Sequence, residues 1–183
     1  MAETARPLAY STLSKIIHWL TAIIVIGIIP GGIAMSELDE GPLQNLLFDL
    51  HRSFGVAVFF LALCRVLVRR LYGVPAPYEG LTRFERIAST AAHQTLLALL
   101  FVMPLLGWMM MSTYRAEVSV FGLFILPNIL PENRAVYDVL AEIHGAGGML
   151  MAAIIIIHAG AGLMHHYVRR DGVLQRMLLW SKP

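Results

Sequence analysis

The sequence predicts an all-α protein: a bundle of four transmembrane helices in a single domain that covers residues 1–183. Of these residues, 57% are hydrophobic and only 14% are charged, which is far from the composition of a soluble globular protein. Four apolar segments approach the length of about 20 residues that a helix needs to cross a bilayer. Polar or proline-containing connections separate these segments, so we expect four spans in alternating directions.

The first two predicted spans each carry a histidine near their start. The first covers residues 16–35 and has His18 in its first turn, and Pro30 with the two glycines that follow is expected to loosen its last turns. The second covers residues 50–68, begins with His51 and ends in a run of arginines. Two prolines then interrupt the chain before the third apolar segment.

The third predicted span covers residues 87–111, with His93 near its start and Pro104 in its interior. A proline is tolerated there because neighbouring groups can satisfy the carbonyl that it frees. A long connection follows, and we expect its apolar piece, residues 120–126, to lie at the membrane interface. The fourth predicted span covers residues 143–166 and is uncharged over most of its length.

Basic residues are concentrated on one side of this topology, in the N-terminal segment, the connection between the second and third spans, and the C-terminal tail. They are Arg6, Lys15, Arg65, Arg69, Arg70, Arg83, Arg86, Arg169, Arg170, Arg176 and Lys182. The other side holds Arg52, Arg115 and Arg134 among most of the carboxylates. Because cytoplasmic loops are enriched in Lys and Arg, both termini are expected in the cytoplasm and the two acidic connections outside.

Two histidines leave the fourth span on nearly the same face. His144 and His158 are fourteen residues apart, which is almost four turns and roughly 21 Å along the axis. The topology puts His18 at the cytoplasmic level of His158 and His51 at the outer level of His144. Each of these histidines is followed one turn later by a small residue, which leaves room beside the imidazole for a flat ligand. The four are Ala22, Gly55, Gly148 and Gly162.

For each histidine alone, a hydrogen-bonded core role is an equally good interpretation. Two pairs at two depths favour axial ligation of two haem b groups, one in each pair, because haem needs only two axial nitrogens. Zinc is the competing metal, but it prefers four ligands around one point, and no cysteine or carboxylate cluster completes either pair. Cys64 is the one cysteine, so any haem is held non-covalently. A haem-free four-helix carrier or sensor is the alternative from another class.

His93 and His165 remain at the cytoplasmic level, and a structural role for them is an equally good interpretation. The functional interpretation is a quinone site, because a quinone headgroup needs hydrogen-bonding groups that also exchange protons near neutral pH. Arg83 and Arg86, just before the third span, are expected to help orient the headgroup.

Short motifs surround the histidines: IIHWL at His18, DLHRSFG at His51, EIHGAGG at His144 and IIHAGAGLMHHY at His158. Together with RVLVRR and AAHQTLLALLFVMPLLGWMMM, and in this order, they resemble the bacterial cytochrome b561 family of four-helix di-haem proteins, in particular its superoxide oxidase members. The resemblance runs over nearly the whole chain. It places the protein in the bacterial inner membrane as a multi-pass protein.

The resemblance also implies site residues and an activity. It implies haem ligation by His18 with His158 and by His51 with His144, and contact of ubiquinone with His93 and His165. The implied reaction is oxidation of superoxide at the outer face, with electrons passed to ubiquinone. Quinone and membrane lipid are the expected partners, and no nucleic-acid partner is expected.

The charge of the outer connections is unfavourable for superoxide as the electron donor. They are acidic overall and repel an anion unless Arg52, Arg115 and Arg134 gather where superoxide reacts. The alternative function is therefore a cytochrome b anchor and electron-transfer subunit of a multi-subunit dehydrogenase or hydrogenase, which receives its electrons from a partner protein.

Overall fold

The structure is a computed structural model and describes residues 9–180. Within this range it contains four long helices: α1 (Thr12–Glu37), α2 (Pro42–Tyr72), α3 (Arg83–Tyr114) and α4 (Arg134–Met164). Two short strands, β1 (Val118–Val120) and β2 (Phe124–Leu126), lie between α3 and α4. A π-helical turn (His165–Arg169) and a 3-10 turn (Leu174–Met177) follow α4. Arg6 and Lys182, which enter the charge argument, lie outside the described residues, so the location of both termini stays a prediction.

The helices begin at residues suited to that position. Ser11 and Asn133 precede α1 and α4, and each side chain accepts a hydrogen bond from the backbone N–H three residues on. Pro42 is the first residue of α2, where its missing N–H costs nothing. Thr82 and Glu85 bond each other's backbone N–H groups at the start of α3, which forms a capping box.

All four helices begin before the predicted apolar spans, and α2 and α4 do so by the most. α1 continues without a break through Pro30 and the glycines after it, so the expected loosening of its last turns is wrong. α2 and α4 begin eight or more residues earlier than the predicted spans at 50 and 143. The added turns carry polar side chains, which a search for apolar segments does not detect.

The helices pack as two pairs, α1 with α2 and α3 with α4, and α2 also packs on α3. The buried core draws on all four helices and is small: Val25, Val58, Ala62, Leu100, Met103 and Met151. Many large apolar side chains point outward instead, and Ile156 on α4 is 72% exposed. Water disfavours such a surface and a lipid environment suits it.

Three helical segments in the described range are long and apolar enough to cross a membrane, namely Thr12–Glu37, Arg83–Tyr114 and Arg134–Arg169. The protein is therefore a mostly helical membrane protein. α2 is not among these three segments. The structure confirms α2 as a long helix of the bundle, while its membrane crossing stays a prediction.

The apolar piece between α3 and α4 corrects the strictly all-α prediction, because it forms an antiparallel hairpin of β1 and β2. Phe121 and Gly122 occupy the turn with φ of 50° and 70°, as in a type I′ turn. Phenylalanine rarely adopts this left-handed conformation, so the sequence carries no usual signal for the turn. Leu123 at the tip is 80% exposed, which is compatible with the predicted position at the membrane interface.

Ser53 of α2 fastens the hairpin to the helical bundle. Its side chain is almost fully buried, and its hydroxyl donates to the carbonyl of Ser119 at 3.2 Å. The same oxygen accepts from the backbone N–H of Phe121 at 2.9 Å. The ring of Phe121 packs edge-on against Phe54, with 5.2 Å between ring centroids. These contacts offset the cost of about 1–2 kcal/mol for a left-handed L-residue.

We expect Ser53→Ala to destabilise the outer end of the bundle. The substitution leaves the Ser119 carbonyl and the Phe121 N–H without this partner, at a cost of about 1–3 kcal/mol for a buried group. Thermal unfolding of the purified protein in detergent measures the effect, and Ser119→Ala is the matched control because it keeps the backbone carbonyl. Equal melting temperatures for the two variants would show that the Ser53 hydroxyl does not hold the hairpin.

Candidate functional site

Three imidazoles meet at the end of the bundle where α1 begins and α4 ends. The ring centroids of His18 on α1 and His158 on α4 are 6.4 Å apart, with an angle of 79° between the ring planes. His93 on α3 lies on the other side of His158, with its ring centroid at 5.1 Å. We call these three residues the inner cluster.

A second pair of imidazoles lies at the opposite end. His51 near the start of α2 and His144 on α4 have ring centroids 6.0 Å apart and ring planes at 67°. We call them the outer pair. α4 thus contributes one imidazole to each level, and a different helix supplies each partner.

The distances distinguish a shared metal ion from ordinary ring packing. A metal–imidazole bond is about 2 Å and the ring centre lies about 1 Å beyond the nitrogen, so two imidazoles on one axis are separated by about 6 Å. His18 with His158 and His51 with His144 both match this separation. His93 is closer to His158 than this, which fits a packed neighbour better than an opposite axial ligand.

The ring nitrogens leave metal-binding capacity at both levels. Nδ1 of His51 donates to the carbonyl of Ile28 at 3.1 Å, which leaves Nε2 without a proton and free to bind a metal. Nδ1 of His18 and Nδ1 of His144 are buried, and neither has a hydrogen-bond partner among residues 9–180. Buried polar atoms without partners are rare, so these rings are suited to a group that the chain itself does not supply.

The glycines that follow the outer pair leave open space beside it. A Cβ atom built on Gly55 or Gly148 would have no atom within 4 Å apart from its own chain neighbours and helix backbone. At the inner level, a Cβ on Gly162 would lie 3.7 Å from Cδ1 of Leu174 in the C-terminal segment. The small residues one turn after the histidines therefore create room for a flat group between helices, most clearly in the outer pair.

Two further glycines accommodate the imidazoles themselves, and sequence reasoning missed both. A Cβ on Gly32 of α1 would lie 2.9 Å from Cε1 of His51, and a Cβ on Gly107 of α3 would lie 3.3 Å from Cε1 of His144. Each glycine faces a histidine on a different helix, so no spacing along one helix points to the contact. Gly32 makes room for the His51 imidazole and does not loosen α1.

In the described part of the chain, the candidate metal-binding side chains are two pairs of histidines. Among residues 9–180, no group of three or more His, Cys, Asp and Glu side chains is arranged to hold a metal ion by itself. Two imidazoles about 6 Å apart, with small residues beside them, suit haem iron better than a bare zinc ion. The residues present therefore fit a haem group at each level.

The four residues predicted to bind quinone do not form one contact cluster. His93 packs on His158, whereas His165 lies in the π-helical turn, is buried, and donates from Nδ1 to Asp171 at 2.5 Å. Within the described range, no ring contact joins His93 to His165. Arg83 is the first residue of α3 and is exposed.

Arg86 lines an open cavity at the start of α3. The cavity has a volume of about 460 Å³, and its other lining residues are Ile87, Thr90 and Ala91. It lies along the helix that carries His93, less than two turns before that histidine. The start of α3 therefore offers a mostly apolar recess with one cation at its edge.

Two of the three outer arginines are engaged within the protein. Nη1 of Arg52 lies 3.6 Å from a carboxylate oxygen of Asp49 and donates to the carbonyl of Glu117 at 3.4 Å, and its guanidinium stacks on Phe48. Nε of Arg134 lies 3.1 Å from Asp138, and the guanidinium also stacks on two tyrosines. Their charges are therefore largely compensated.

Arg115 differs from these two arginines. It ends α3 in the left-handed conformation, with φ of 61°, and its side chain is exposed. No ion pair or stacking partner for it occurs in the described range. Arg115 is the outer arginine best able to attract an anion from solution.

Comparison with known proteins identifies the family. The sequence profile of the prokaryotic cytochrome b561 family matches residues 9–180. The chain belongs to the prokaryotic cytochrome b561 family. It is 31% identical over 180 residues to cytochrome b561 homolog 2 of Escherichia coli K12, a match that covers 97% of this chain and 95% of the relative. The probable superoxide oxidase CybB of Yersinia pestis is 28% identical over 173 residues, covering 92% and 95% of the two chains.

Cytochrome b562 of Cereibacter sphaeroides is another relative, with 30% identity over 175 residues and coverage of 92% of this chain and 94% of the relative. Membership of the cytochrome b561 family makes the protein a membrane cytochrome of electron transport and implies haem b. The resemblance noted from the histidine motifs is thereby confirmed, and the haem-free carrier or sensor does not fit the family.

We expect Gly32→Ala to lower the haem b content of this cytochrome b561. The added methyl group meets His51 at 2.9 Å and forces the imidazole away from its position opposite His144. Gly31→Ala is the matched control, because a Cβ there has no atom within 4 Å. The ratio of extractable haem to protein measures the effect. Equal ratios in the two variants would show that the His51–Gly32 contact does not govern haem binding.

Proposed function

We propose that this cytochrome oxidises superoxide at its outer end and reduces ubiquinone at its inner end, with one haem b held at each level. The observation that carries the proposal is the pair of imidazole separations, 6.4 Å and 6.0 Å, at opposite ends of one bundle. The haems supply one-electron transfer between the two ends when they are bound. The printed name of the Yersinia pestis relative supports superoxide as the donor.

His18 with His158 and His51 with His144 are proposed as the axial ligand pairs. With two imidazoles holding each haem, the iron would exchange electrons and would not bind a substrate directly. The Ile28 carbonyl holds the His51 ring in the tautomer with a free Nε2. In this proposal all four helices cross the inner membrane of a bacterium, both termini are cytoplasmic, and residues 1–183 form one domain.

At the outer end, Arg115 is proposed to attract superoxide. An exposed, unpaired cation raises the local concentration of an anion, whereas Arg52 and Arg134 contribute less because carboxylates lie beside them. Each superoxide loses one electron and leaves as dioxygen. Two such events provide the two electrons that one ubiquinone needs.

At the inner end, His93 and His165 are proposed to contact ubiquinone, with Arg83 and Arg86 near its headgroup. Ubiquinone takes up two electrons and two protons to become ubiquinol, so the inner site needs side chains that bind its oxygens and deliver protons. The recess beside Arg86 is lined mainly by apolar atoms, which suits the isoprenoid-bearing ring, and opens on the cytoplasmic side of the predicted topology.

A second function has specific support from the charges of the outer end. Because Arg52 and Arg134 are paired with carboxylates, the outer surface stays acidic overall, which suits a basic partner protein better than an anion. The alternative is therefore a cytochrome b subunit that anchors a dehydrogenase or hydrogenase and accepts its electrons.

Ligand substitutions test the assignment of haems to histidine pairs. We expect His18→Ala and His158→Ala to remove the same haem, and His51→Ala and His144→Ala to remove the other, because each change deletes one axial bond at one level. Redox-difference spectra of the purified variants identify the haem that is lost. Loss of the same haem from His18→Ala and His144→Ala would contradict the pairing.

A charge substitution tests the donor. We expect Arg115→Gln to slow reduction by superoxide about twofold to tenfold, since local steering by charge changes association rates in this range and above. Arg134→Gln should have a smaller effect because Asp138 already compensates that charge. Stopped-flow absorbance after mixing with a superoxide source, at low and high salt, measures both rates.

Salt is expected to reduce the difference between wild type and Arg115→Gln, because the screening length falls from about 10 Å at 0.1 M to about 3 Å at 1 M. If the wild-type haems stay oxidised after mixing with superoxide, superoxide is not the donor, and the anchor function is favoured. One series of measurements omits ubiquinone and a second includes it. The first measures transfer of electrons from superoxide to the protein, and the second also measures their transfer to ubiquinone.

A further inference from the structure

Asp171 holds His165 at the end of α4. Its Oδ2 accepts a hydrogen bond from Nδ1 of His165 at 2.5 Å, and its Oδ1 accepts from the backbone N–H of Val173 at 3.1 Å. The backbone N–H of Asp171 also bonds to the carbonyl of His165 at 3.4 Å. Both oxygens of the carboxylate are therefore engaged, and the His165 ring, in a residue only 6% exposed, has little freedom to turn.

The charges around this pair keep Asp171 ionised. Burial favours its neutral form, but the hydrogen bonds from His165 and Val173 and the positive charge of Arg169 together lower the pKa of Asp171 below its usual value. Arg169 is itself paired with Glu85 of α3, which fixes the π-helical turn against the start of that helix. An ionised carboxylate can only accept hydrogen bonds, so the proton of this bond lies on Nδ1 of His165. Nε2 is then the ring nitrogen that can take up and release a proton.

The segment that begins at Asp171 lies against the inner cluster. The carbonyl of Met177 accepts a hydrogen bond from Nε1 of Trp19 at 2.8 Å, and Trp19 is adjacent to His18. Leu174 packs near Gly162, one turn after His158. The same carboxylate thus orients His165 and starts the segment that covers the inner haem ligands on the cytoplasmic side.

We propose that Asp171 is a positioning residue for proton delivery to ubiquinone. It holds the His165 ring with Nδ1 protonated, which leaves Nε2 to bind a quinone oxygen. The protonated ring gives its Nε2 proton to the reduced quinone oxygen: the N–H bond breaks, an O–H bond forms, and neutral His165 keeps its Nδ1 proton, which stays hydrogen-bonded to Asp171. Water at the cytoplasmic face then returns a proton to Nε2. This inference rests on the proposed reduction of ubiquinone at the inner end.

The first test is Asp171→Asn in the haem-loaded protein, with a short-chain ubiquinone as the probe. We expect kcat for quinone reduction to fall about 10- to 100-fold, as when the partner behind a functional histidine is removed. Haem content and the rate of haem reduction by dithionite should not change. Glu79→Gln is the control, because it removes the same charge as Asp171→Asn. Glu79 lies at an exposed position before α3. Equal kcat for Asp171→Asn and Glu79→Gln would overturn the proposal.

A double-mutant cycle separates positioning from a general structural role. If Asp171 acts through His165, Asp171→Asn causes no further loss of kcat in a His165→Gln background. A full, multiplicative loss in that background would overturn the proposal. Asp171→Glu should restore part of the rate, since it returns a carboxylate to the same site.

A spectroscopic readout does not depend on any Asp171 variant or on turnover. The ¹⁵N spectrum of labelled wild-type protein, with the His165 signals assigned by their loss in His165→Gln, should show a proton on Nδ1 in the neutral ring. A neutral ring protonated on Nε2 would overturn the inference even if Asp171→Asn failed to bind haem. A wild-type protein that never reduces quinone would instead contradict the proposed function, which distinguishes the two failures.

Discussion

Two pairs of imidazoles between helices constrain how this bundle is built. Each of these rings faces another imidazole, about 6 Å away, that a different helix contributes. α4 supplies one member of each pair, so α1 must approach α4 at one end and α2 must approach it at the other. The glycines at 32 and 107 make room for the two outer imidazoles, because a side chain at either position would press on an imidazole.

The two ends of the bundle differ in how their polar groups are arranged. The outer end is closed by a hairpin that Ser53 fastens to α2, two residues after His51, and its arginines are mostly paired with carboxylates. The inner end carries a third imidazole, a buried histidine–carboxylate pair and a C-terminal segment bonded to Trp19. More imidazoles are therefore gathered at the inner end than at the outer end, which is compatible with the proposed reduction of a quinone there.

Helical periodicity explains how much of this arrangement was predictable. The face and depth of His144 and His158 follow from their spacing along one helix, and the charge pattern then indicated which histidines share each level. The contact of Gly32 with His51 was not predictable, because it joins two helices whose approach no local pattern encodes. The pairing of Arg52 with Asp49 and of Arg134 with Asp138 lies at helical spacing, so that signal was present and was missed.

The hairpin between α3 and α4 shows a different limit of sequence reasoning. A short apolar run is compatible with a strand or with a buried or interfacial helix, and a phenylalanine in a left-handed turn is not a recognised turn signal. The contact that stabilises this turn comes from Ser53, more than sixty residues earlier in the chain. The sequence predicted that this apolar piece lies at the membrane interface. Only the structure shows that it forms two strands.

We propose that each level holds one haem between two imidazoles, whose ring planes lie at 79° and 67° to each other. Low-temperature electron paramagnetic resonance of the oxidised protein tests it most directly, because near-perpendicular axial imidazoles give a strongly anisotropic low-spin ferric signal. We expect two such low-spin signals of equal weight and no high-spin signal. A single haem signal, or a high-spin ferric signal from an iron with an open axial position, would contradict it.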